Sequence, residues 1–66
     1  MNESTVFIMI CNLERYKDYM KQTEYALRIG KLLNLLNQLY NHALLPSQDT
    51  IAEYENITYS ILGVQP

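Results

Sequence analysis

Between Ser4 and Leu45 the chain has no proline and a single glycine, Gly30, and this feature commits most of its length to helix. Proline is the residue a helix interior tolerates least, whereas one glycine costs only about 1 kcal/mol relative to alanine. Within the stretch, Met9, Leu13, Tyr16 and Met20 step by four, three and four, which is helical spacing. A second stripe, Tyr25, Ile29, Leu32, Leu36, Leu39 and Ala43, repeats that alternation, with Asn34, Asn37, Gln38 and Asn41 on the opposite side.

The two stripes are out of register, because Met20 and Tyr25 stand five apart where a continuous seam needs three, four or seven. The polar run Lys21-Gln22-Thr23-Glu24 occupies that join. Either the helix breaks there, with Thr23 capping a second helix, or one long helix turns its apolar face to touch two different surfaces.

Pro46 ends this region near Leu44, since proline cannot continue a helix and drives Leu45 out of the helical region. Ser47 or Asp49 then supplies the N-cap oxygen of a final helix, and Asp49 and Glu53 place negative charge where the helix dipole favours it. Ile51, Tyr54, Ile57, Ile61 and Leu62 form its apolar side. Gly63 suits the left-handed stop position, with Val64 closing an apolar contact and Pro66 following.

These signals predict an all-α single domain over 1–66. It is a helical hairpin with a long or broken N-terminal helix over roughly 5–44, a Pro46-Ser47 turn with Asp49, and a shorter helix over roughly 48–62 folded back along it. One stretch resists that plan. Val6 to Cys11, VFIMIC, is six apolar residues in a row, and on a helix these point all the way round the axis, so two facing helices leave part of the ring uncovered. An alternative is a short strand pairing with its copy, as in ribbon-helix-helix DNA-binding proteins, although Phe7, Met9 and Cys11 stand where those proteins present polar side chains. Either way the hairpin is completed by a partner or a second copy. The expected partner-binding residues are Val6, Phe7, Ile8, Met9, Ile10, Leu13, Tyr16 and Met20.

The need for a partner also follows from size. A chain of 66 residues buries only about 60% of the surface its unfolded form exposes. Cys11 is the only cysteine, so no internal disulfide compensates, and no Cys/His cluster has the spacing of a metal site. Seven acidic against five basic residues, net −2, give no basic stripe for a phosphate backbone, so no nucleic-acid partner is expected. The charges are nonetheless unevenly placed: Arg15, Lys17, Lys21, Arg28 and Lys31 all precede Asp49, Glu53 and Glu55. This reads either as complementarity for a partner or as two solvated helix faces. No apolar run approaches a membrane span, and Glu3 stands where a signal peptide is positive, so a cytoplasmic protein is expected.

Nothing in the sequence spells out a reaction, a cofactor or a metal. His42 falls near a helix C-terminus, where the dipole favours a histidine. Cys11 within an apolar run reads as an inert thiol, and Glu14 and Asp18, interleaved with Arg15, Lys17 and Lys21, as a solvated charged face. Tyr16, Tyr19, Tyr25, Tyr40, Tyr54 and Tyr59 suit half-buried positions at the edge of a core or at an interface.

The turn Pro46-Ser47 followed by Ile51-Ala52-Glu53-Tyr54, after a leucine-rich helix, resembles the helix-turn-helix of type III secretion needle subunits. In length and hairpin shape the chain is also similar to the small co-chaperones of those systems, which join a repeat-type chaperone to keep the needle subunit soluble before export. The resemblance implies a bacterial helper whose apolar N-terminal helix docks on a larger chaperone or secreted subunit. The alternative is a small phage- or plasmid-type regulator forming a four-helix homodimer.

Overall fold

The structure, a computed structural model, describes residues 2–63, so the contact expected of Val64, and Pro66, lie outside the described residues. Three helices make it up: α1 Glu3–Met20, α2 Glu24–Asn41 and α3 Gln48–Leu62. The all-α class is as expected, and Val6–Cys11 is helical, not the alternative strand.

Each helix begins on a side-chain cap. Asn2 accepts the Thr5 N–H at 3.0 Å, Thr23 the Ala26 N–H at 3.1 Å and Ser47 the Thr50 N–H at 3.2 Å, each satisfying a donor that has no partner within its helix. Thr23 therefore decides the open question at the join: the long segment is broken. Lys21 and Gln22 carry the reversal with φ of 32° and 30°, a region that side chains adopt at a cost.

α2 ends at Asn41, earlier than the proline alone suggests. The Leu44 N–H donates to the Leu39 carbonyl at 2.7 Å and the Ala43 N–H to the Tyr40 carbonyl at 3.1 Å, with Ala43 left-handed at φ 54°. This pair of bonds is a Schellman stop built on alanine. The chain then runs through buried Pro46 to Ser47, and α3 closes on Gly63 at φ 72°, as expected for that glycine.

The break redirects the core. The Phe7 ring lies 5.9 Å from that of Tyr40, so α1 runs antiparallel to α2 and packs along it. Val6, Met9, Ile10 and Leu13 of α1 meet Ile29, Leu32, Leu33 and Leu36 of α2, and α3 adds Ile57. The final helix does not simply fold back along its predecessor. Asp49, Thr50 and Glu53 flank α2 at Arg28–Leu35, whereas Ile61 and Leu62 flank α1 at Arg15–Tyr19, so α3 crosses from one helix to the other. The Asn12 amide on α1 donates to the Tyr54 hydroxyl on α3 at 3.0 Å and pins that crossing.

Candidate functional site

The eight residues expected to bind a partner divide between core and surface. Val6, Met9, Ile10 and Leu13 are buried against α2, and Tyr16 and Met20 pack half-buried beside them. As expected of a fully apolar run on a helix, part of the ring stays uncovered: α1 turns Val6, Met9 and Ile10 onto α2, and Cys11 stays half-buried. Phe7 and Ile8 remain, 51% and 57% exposed.

Both are held outward by the same packing that buries their neighbours. With Val6, Met9 and Ile10 facing α2, a rotation that buried Ile8 would lift its neighbours out. Phe7 leans on Tyr40 with ring planes tilted at 42°, an arrangement favourable for aromatic pairs. Glu3, Ser4, Phe7, Ile8 and Tyr40 border a shallow hollow of about 310 Å³ at the end of the helix pair. Its apolar members sit beside polar Glu3 and Ser4, which is the layout of a contact surface with a polar rim.

A second hollow of about 300 Å³ lies between α2 and α3, with Leu32 and Leu35 as its floor, Arg28 and Lys31 along one side and Asp49 and Glu53 along the other. Arg28 bridges it, its guanidinium donating to the Glu53 carboxylate at 2.8 Å and lying 5.7 Å from the Tyr25 ring centre. The pair is about 40% exposed on each side, where such a bridge contributes little to stability. This hollow escaped sequence reasoning, which paired α3 with the long segment without placing its angle. The separation of basic from acidic residues was the one sequence signal related to it.

The remaining candidates, Tyr19 apart, keep the positions their chemistry suggested. His42 is the exposed C-cap of α2, and Cys11 is a half-buried free thiol. Tyr19 is exposed, while the other five tyrosines are half-buried. Among the described residues no three His, Cys, Asp or Glu side chains gather as a metal site, and no helix is long and apolar enough to cross a membrane. Comparison with known proteins gives no match: no family model, no curated protein and no solved structure matches the chain.

Proposed function

We propose that the chain is a small helical protein-binding module that docks on a larger protein through the Phe7–Ile8 edge of α1. The observation that carries this reading is the exposure of two large apolar side chains in the helix whose neighbouring residues form the core. Their exposed halves add nothing to the fold's own burial, and covering them with a partner contributes about 1 kcal/mol for each side chain. Aromatic residues of this kind anchor interfaces, and Tyr40 adds a hydroxyl at the rim.

The narrower form of the proposal is a cytoplasmic helper of type III secretion needle assembly, docking on a chaperone or secreted subunit. Its support is the Pro46-Ser47 turn opening a helix that carries Ile51-Ala52-Glu53-Tyr54. No catalytic role is proposed for His42, Cys11 or the Glu14 and Asp18 carboxylates.

A photo-crosslinking residue placed at position 8, in the cell that makes the protein, tests both levels. A specific adduct with a secretion chaperone or needle subunit supports the narrower form. An adduct with an unrelated protein keeps the module and removes the secretion role. Absence of any heterologous adduct removes the module itself. With the partner in hand, Ile8→Asp should weaken binding by at least about tenfold while leaving the circular dichroism of the free chain unchanged.

A further inference from the structure

We infer that the hollow between α2 and α3 is a self-association surface, and that its occupant is the same hollow of a second copy. Its floor includes Leu35, 41% exposed, and Leu27, eight residues earlier on the same helical face, is 72% exposed. Lys31 stands between these two leucines. Across the hollow stands Asp49, in the first turn of a helix that contains no basic residue.

The charge layout selects both the occupant and the symmetry. Each copy carries basic residues on the α2 side and acidic residues on the α3 side. A two-fold axis running along the hollow turns the second copy over so that its α3 lies opposite the first copy's α2. Lys31 then meets the second copy's Asp49, and Asp49 meets its Lys31, with the leucine floors between them. An axis running across the hollow sets lysine against lysine and is disfavoured. The product is a dimer of six helices, three from each chain. The Phe7–Ile8 edges stay outside it, so this inference stands or falls independently of the proposed docking function.

Equilibrium sedimentation of the full chain and three variants tests the inference. The natural chain should show a reversible monomer–dimer equilibrium. Lys31→Glu alone and Asp49→Lys alone should each weaken it by about tenfold or more, since each creates two like-charge contacts. An equimolar mixture of the two variants should recover dimer, because every contact in that heterodimer joins opposite charges. Leu35→Asn, at an exposed position, should weaken the dimer without changing helicity, and it provides the test should a charge variant fold poorly. A natural chain that stays monomeric at millimolar concentration overturns the inference. So does a mixture that dimerises no better than its separate components, which would place the charge effect within one chain, or a Leu35→Asn chain that dimerises as the natural one does.

Discussion

Ala43 holds a backbone conformation that glycine adopts freely and alanine does not. The two bonds of the Schellman stop keep it there against the clash of its Cβ with the following carbonyl. Ala43→Gly should therefore raise stability by about 1 kcal/mol, read as a higher urea midpoint with unchanged slope. Gly63→Ala makes the opposite exchange at φ 72° and should lower stability by a similar amount, about 1 kcal/mol. Gly30 differs from both, because it lies inside α2 with no neighbouring atom within 4 Å of an added Cβ. Gly30→Ala should stabilise by about 1 kcal/mol through helix propensity alone. The Asn12–Tyr54 hydrogen bond joins residues far apart in sequence. Tyr54→Phe should cost about 1 kcal/mol, and adding Asn12→Ala should cost less than it does in the natural chain, which a double-mutant cycle would detect.

The helices themselves depend on few residues. Thr23 caps the second of two helices in a stretch whose propensity favours one, and Thr23→Ala should cost about 1 kcal/mol by removing the cap on the Ala26 N–H. The loss should appear without a gain in helical content, because a continuous helix would pull Val6, Met9, Ile10 and Leu13 away from α2. Element positions were largely legible in the sequence: spacing marked the three apolar stripes, Pro46 and Ser47 marked the last start, and Gly63 marked its end. The partnering of α1 was not legible. The five-residue gap between Met20 and Tyr25 shows that the apolar face changes direction, but a break and a rotation produce the same pattern. The Thr23 cap and the φ values at Lys21 and Gln22 together establish the break, and neither lysine nor glutamine announces a positive φ. For Phe7 and Ile8 a signal was present: the stripe through Met9 and Leu13 runs back to Val6 and leaves Phe7 and Ile8 on the opposite side of α1.

Taken together, the three helices form a core whose size leaves little reserve. A domain this small draws no more than about 3–5 kcal/mol from a single core, and removing a fully buried leucine side chain costs about 2–5 kcal/mol. Leu36→Ala should therefore leave the isolated chain largely unfolded at 25 °C by circular dichroism, and association through either exposed surface should raise its melting temperature with concentration. The buried set is also unevenly shared. Among the described residues α3 contributes Ile57 alone, while α1 and α2 supply the rest. The last helix is thus held by one fully buried side chain, the half-buried Tyr54 and Ile61, the Asn12–Tyr54 bond and a half-exposed ion pair, and its amides should exchange with solvent hydrogen faster than those at the centre of α2. Each such opening would bring buried leucines of α2 into water, so the exchange rate of the α3 amides is a direct measure of how often the core is breached.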